Sequence, residues 1–253
     1  MKSVKTILAM GAFIFWGQKT LAHGGQETRI ALEPEIVSTN AGHIQYKFQL
    51  IDTTSKVLVG DQDLVVAHEK KLHFIIYDSS LREFQHAHPA FDGIAWSVDI
   101  EVRVNGNYWV WVQGELASDG EEFSSFTKLD ILGGVSAWPL PPTLVDERAG
   151  ASGVSSINLG KNKLVAGKMA MVDLKISHTD GTIPQLEPYL GAFAHVIAVP
   201  EDGDSLIHVH PQQAGSSSAM LHATFPKAGL YRLWIQFIDD GNLKTIPLAV
   251  KVN

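Results

Sequence analysis

The chain has 253 residues, 45% apolar and 19% charged, enough for one large domain or two ordinary ones and too apolar for a disordered chain. Twenty Lys and Arg against 27 Asp and Glu leave a net charge of -7, which argues against nonspecific binding to nucleic acid or anionic lipid. The absence of cysteine excludes disulfides, thiolate metal sites and cysteine nucleophiles, so any transition-metal site must use His, carboxylate, Met or backbone, and the 11 histidines stand out.

Lys2 and Lys5 precede an uncharged, mostly apolar run from Thr6 to Trp16, and Thr20-Leu21-Ala22 follows before a polar stretch. This is the plan of a secretory signal peptide over residues 1–22, with an apolar run too short to span a bilayer comfortably. No later segment reaches about 18 uninterrupted apolar residues, so no membrane span is expected after cleavage. The expectation is a periplasmic or secreted chain. Without Lys2, Lys5 and Lys19, the mature protein keeps 17 basic against 27 acidic residues, a net of -10. Cleavage after Ala22 makes His23 the first residue, whose free amine and imidazole Nδ1 can chelate Cu(II) or another late divalent metal. The plainer reading of His23 is an unconstrained chain start.

Two segments repeat. His73 is followed by His86, His88 and Pro89, and His195 by His208, His210 and Pro211, at a constant offset of 122. Gly106-Asn107-Tyr108-Trp109-Val110-Trp111-Val112-Gln113 then matches Gly229-Leu230-Tyr231-Arg232-Leu233-Trp234-Ile235-Gln236 at 123. The mature chain is therefore read as repeat 1 over 23–132, a Gly/Pro-rich linker over 133–152, and repeat 2 over 153–253. Its prolines make the linker a fairly stiff spacer.

Short runs rich in Val, Ile, Phe, Tyr and Trp alternate with turn signals at Asn105-Gly106, Asp180-Gly181, Glu201–Asp204 and Asp240-Gly241, and no helical period persists. The fold expected is all-β: two tandem immunoglobulin-like or cupredoxin-like β-sandwich domains. Gly-x-Tyr ahead of a strand, at Tyr108 and Tyr231, resembles the tyrosine corner of immunoglobulin-like sandwiches.

Each His segment reads as a hairpin. In repeat 1, a pairing sum of 159 sets His73 opposite His86, and a sum of 161 sets it opposite His88. Both put His73, His86 and His88 on one face. The same holds for His195, His208 and His210 around the Glu201–Asp204 turn. Imidazoles at such positions can converge on one ion at about 2.0–2.1 Å from each nitrogen. A three-His set without thiolate suits Cu(II) or Zn(II), with water or a carboxylate (Asp78 or Glu83; Glu201, Asp202 or Asp204) as a fourth ligand. His222 and Asp99 align as candidate equivalent groups around these sites. Met169, Met171 and Met220 are expected in the core, and His43, His68 and His178, which have no repeat counterpart, at the surface. The alternative is structural: histidines bonded to backbone, with Pro ending the ladder.

The motif pair His73…His86-x-His88-Pro89 and His195…His208-x-His210-Pro211, with Gly229-Leu230-Tyr231 through Phe237, resembles exported bacterial β-sandwich proteins loosely akin to YtkA-like modules. That resemblance implies heavy-metal or copper handling in the cell envelope. Periplasmic copper carriers mix His with Met, and the absence of Met beside these histidines favours Cu(II) or Zn(II) over Cu(I). Nucleophile elbows and phosphate loops are absent, and His68-Glu69-Lys70-Lys71-Leu72 lacks the second zincin histidine, so no enzyme is expected. The sequence thus points to an exported metal buffer, carrier or sensor. The alternative is a non-catalytic envelope module that presents a surface to a protein partner.

Overall fold

The computed structural model describes the backbone of Leu21–Gly24 and residues 29–35, 39–67, 69–135 and 144–253. The first half supplies β1 (Leu21–Gly24), β2 (Ile30–Pro34), β3 (Gly42–Asp52), β4 (Val57–Leu58), β5 (Leu72–Asp78), β6 (Phe84–Ala87), β7 (Ala90–Phe91), β8 (Trp96–Val102), β9 (Gly106–Glu115) and β10 (Glu122–Ile131). The second supplies β11 (Ala149–Ser152), β12 (Ser155–Leu159), β13 (Met169–His178), β14 (Leu186–Glu187), β15 (His195–Pro200), β16 (Ser205–Val209), β17 (Gln212–Gln213), β18 (Ser218–Thr224), β19 (Gly229–Asp239) and β20 (Asn242–Val252).

Each repeat folds as two facing sheets. The first pairs β2-β3-β8-β7 with β10-β9-β5-β6; the second pairs β11-β12-β13-β18-β17 with a sheet containing β20-β19-β15-β16. The matching order confirms tandem β-sandwiches. Tyr108 donates its hydroxyl to Val104 O at 2.9 Å, and Tyr231 does the same to Lys227 O at 2.9 Å. These are tyrosine corners at equivalent positions, and they place the sandwiches in the immunoglobulin-like class. Tyr231→Phe leaves the Lys227 carbonyl without its donor and is expected to lower stability by about 1 kcal/mol, read by urea unfolding. An unchanged midpoint and slope would show the corner to be decorative.

Strand patterning separates outer from inner sheets. In β3, Ile44, Tyr46, Phe48 and Leu50 are buried while Lys47, Gln49 and their neighbours face outward, the mark of a sheet wet on one side. In β5 and β15 every residue is buried. Leu72, Phe74 and Ile76 enter the core of the first sandwich. Ile75 and Tyr77 instead join Trp111, Ile197, Val199, Leu206 and Trp234 in a third apolar core. The two inner sheets therefore pack on each other, giving four layers and three cores.

This packing anchors both flanks of the expected linker. Residues 136–143 lie outside the described residues, but both flanks are held. Val135 exchanges backbone hydrogen bonds with Arg103 and Asn105, Leu144 is buried in the third core, and Ala149–Ser152 is already strand β11. Of the expected linker, 133–135 and 144–152 are thus held against the sandwiches.

The expected signal segment lies outside the described residues up to position 20. β1 spans the expected cleavage bond and adds an antiparallel strand to β16, with Leu21 opposite His208 and His23 opposite Leu206. The His23 side chain falls outside the described residues.

Candidate metal centre

The β5–β6 ladder pairs Ile75 with His86 and Tyr77 with Phe84, which is the 161 register. β15–β16 pairs Ile197 with His208 in the equivalent register. The turn explains the choice between the two registers. Asp78 Oδ1 accepts the backbone N–H groups of Arg82 and Glu83 at 2.8 and 2.9 Å, and its other oxygen takes the Ser80 N–H and hydroxyl. A loop of Ser79–Glu83 results, wider than a turn centred on Ser79-Ser80. Asp78 is thereby committed to the turn, and Asp202 and Asp204 to Lys227. The expectation of a carboxylate ligand at these three positions is corrected.

What completes the site is the other repeat. His73, His86 and His88 lie on the face of β5 and β6 that meets the second sandwich, and His195, His208 and His210 lie on the facing sheet. The ligand nitrogens of His73, His86, His195 and His208 all fall within 4.8 Å of one another. Ring centroids across the joint are 5.0 Å apart for His73–His208 and 5.2 Å for His86–His208. The two expected three-His clusters are one composite cluster, because the inner sheets pack with their histidine faces together.

Two glutamines lock it reciprocally. His86 Nδ1 meets Gln236 Oε1 at 2.9 Å, and His208 Nδ1 meets Gln113 Oε1 at 3.1 Å. A carbonyl oxygen only accepts, so both histidines carry their proton on Nδ1 and keep a lone pair on Nε2. Gln113 Nε2 donates to Ser124 Oγ and Gln236 Nε2 to Thr245 Oγ1, each at 3.1 Å, so both ends of each amide are engaged. His195 Nε2 donates to Tyr189 O at 2.9 Å. His195 Nδ1 lies 3.2 Å from His208 Nε2. His73 Nδ1 and His86 Nε2 stand 3.0 Å apart, and His210 Nε2 lies 3.0 Å from His195 Nδ1. Two nitrogens on one tetrahedral ion are separated by about 3.3 Å, close to these hydrogen-bonded spacings, so little movement separates the imidazole network from a ligand set.

His88 and His210 sit half-buried at the edge of the cluster, and His88 Nε2 is buried with no hydrogen-bond partner. Burial is the main cause that pushes the imidazoles towards the neutral form. His86 is lowered to about 4, against a small opposing pull from Gln236. His88 falls to about 3, with His86 and Lys70 adding to burial. His73 and His208 are lowered well below the usual value by burial and then by the neighbouring imidazoles. Neutral imidazole is the form that ligates a metal.

The second sandwich matches a family. It is described as a domain of unknown function, DUF8832, matching residues 150–253. No curated protein matches the chain in sequence. Among solved structures, the Escherichia coli adhesin FdeC is 9% identical, covering 89% of this chain and 64% of its own, with a TM-score of 0.28. The fibronectin(III)-like modules of Clostridium thermocellum CbhA are 13% identical, covering 88% of this chain and 92% of theirs, at 0.23. The FN1–FN3 domains of chicken CNTN1 are 12% identical, covering 88% and 68%, at 0.23. The chain spans less than two thirds of the adhesin's length.

The sequence reading had no role for Gln113, Gln236 or Tyr189. A signal for the glutamines existed: each ends the repeated aromatic strand motif and sits opposite a histidine, His73 with Gln113 and His195 with Gln236. Other histidines lie elsewhere. His43 pairs with Asp99 at 3.3 Å on the outer sheet, and His222 lies on β18 of the other outer sheet, so Asp99 and His222 do not support the cluster. His68 lies outside the described residues. His178, expected at the surface, has a side chain 4% exposed that bonds Asp239 at 2.7 Å, an acceptor shared with Ser155.

Proposed function

We propose that this chain is an exported metal-binding protein that holds one Cu(II) or Zn(II) ion between its two sandwiches, as a buffer, carrier or sensor. The observation that carries the reading is the convergence of the ring nitrogens of His73, His86, His195 and His208, two from each sandwich, within 4.8 Å of one another. An all-imidazole set without thiolate suits Cu(II) and Zn(II). The half-buried His88 and His210 offer a route by which an ion reaches the buried nitrogens.

Calorimetric titration with Zn(II) and Cu(II) tests this, with one equivalent per chain expected. Two equal equivalents would restore separate sites in each repeat, and no binding below millimolar would make the histidines interface hydrogen-bonders only. Gln113→Leu and Gln236→Leu free the Nδ1 protons of His208 and His86 from their acceptors. Each is expected to weaken metal binding about 10–100-fold, the usual effect of losing a group that orients a ligand. A structural role alone would lower the melting temperature of the metal-free protein while leaving affinity unchanged.

A further inference from the structure

The outer sheet of the second sandwich carries three methionines and a histidine on the neighbouring strands β13 and β18. Of the chain's five methionines, the three beyond Met10 are Met169, Met171 and Met220. They were expected in the core, yet Met169 is 56% and Met171 55% exposed. The reason is strand parity: Ala170, Val172, Leu174 and Ile176 of β13 fill the core, so Met169 and Met171 share the outward face with Asp173 and Lys175. Methionine is ordinarily among the more buried residues, and two so exposed on one strand are unusual.

The register gathers them around an imidazole. Met171 stands directly opposite His222, Met169 opposite Thr224, and Met220 opposite Asp173. His222 therefore has Met171 across the ladder and Met220 two positions away on its own strand, both on the outward face, with Met220 and His222 half-buried. Opposed Cβ atoms in such a pair lie about 4.5–5.5 Å apart, and three rotatable bonds per methionine let the sulfurs converge above the sheet. The Met169 sulfur accepts the Thr224 hydroxyl at 3.9 Å, which places it over the same strand pair.

We propose that Met171, Met220 and His222, with Met169 as a further thioether, form a surface site for a soft monovalent ion of the Cu(I) or Ag(I) class. Thioether and imidazole donors with no thiolate select such ions over Zn(II), whereas the buried all-imidazole cluster selects the reverse. None of these residues belongs to the histidine centre, so the two sites stand or fall separately.

The test is titration of the full chain with Ag(I), followed by NMR of protein labelled with 13C at the methionine methyls. One equivalent is expected to shift the methyl signals of Met171 and Met220. Met171→Leu/Met220→Leu, at one exposed and one half-buried position on the outward face and close in volume, should melt as the wild type does and lose that equivalent, as should His222→Ala. Methyl signals unmoved by one equivalent, or unaltered Ag(I) binding in the double variant, would overturn the proposal.

Discussion

His208→Ala alone is expected to abolish the rise in melting temperature that saturating Zn(II) or Cu(II) gives the wild-type chain, and His86→Ala alone is expected to do the same. A ligand that binds only the folded state adds about 2.7 kcal/mol at a hundredfold excess over its dissociation constant. For a chain of this size that corresponds to a melting shift of roughly 5–10 °C. The prediction is sharp because the two substitutions sit in different sandwiches. In a composite centre each removes one of the four converging nitrogens, so either leaves no complete site. With independent sites, His208→Ala would leave the first repeat intact and half of the metal response would survive. His43→Ala, on the outer sheet and paired with Asp99, is the control and should keep the full shift. Both cluster variants also cut a bond across the joint, to Gln113 or to Gln236, so the metal-free melting temperature is measured beside each metal-loaded one.

Acid is expected to open the same joint. His73, His86, His88 and His208 are all held below the ordinary imidazole value, so the unfolded chain binds protons that the folded one refuses. Stability is therefore fully present above about pH 6.5 and is lost as the pH falls from there towards the folded values, about 4 for His86 and about 3 for His88. The shift at His86 alone amounts to roughly 3 kcal/mol at full expression, and His73 and His208 act in the same direction. That is a large part of the 5–15 kcal/mol typical of a folded domain. Urea unfolding at pH 7.5, 5.5 and 4.5 should show a midpoint that falls steeply, and Trp111 and Trp234, buried between the sandwiches, report the joint by fluorescence. A midpoint equal at pH 7.5 and 4.5 would mean that the imidazoles are not kept neutral by burial. The low proton affinity also means that metal binding should persist to about pH 5, below the point where solvent-exposed histidines already surrender their ion.

How much of this was readable in advance depends on the range of the interactions involved. Strand alternation is local, and it exposed the outer sheets: Asp173 and Lys175 mark the wet face of β13, and by the same parity they place Met169 and Met171 there, a signal overlooked in favour of the general preference of methionine for the core. The duplicated aromatic motif announced both tyrosine corners. The period-two rule put His73, His86 and His88 on one face under either register, and only the Asp78-held loop selected the register found. The apolar run Phe74–Tyr77 within β5 fits a strand covered on both sides, but periodicity carries no information about what covers it.

From sequence alone come the all-β class, the duplication, the six clustered histidines and the lack of thiolate, because each rests on residue identity or on contacts between near neighbours along the chain. The tertiary structure alone decided that the two histidine faces meet, that Gln113 and Gln236 reach across to bond opposite imidazoles, and that the converging ring nitrogens come from both repeats. Those contacts join residues 95 and 150 positions apart, and they follow from how two apolar sheet faces pack, which no local pattern encodes.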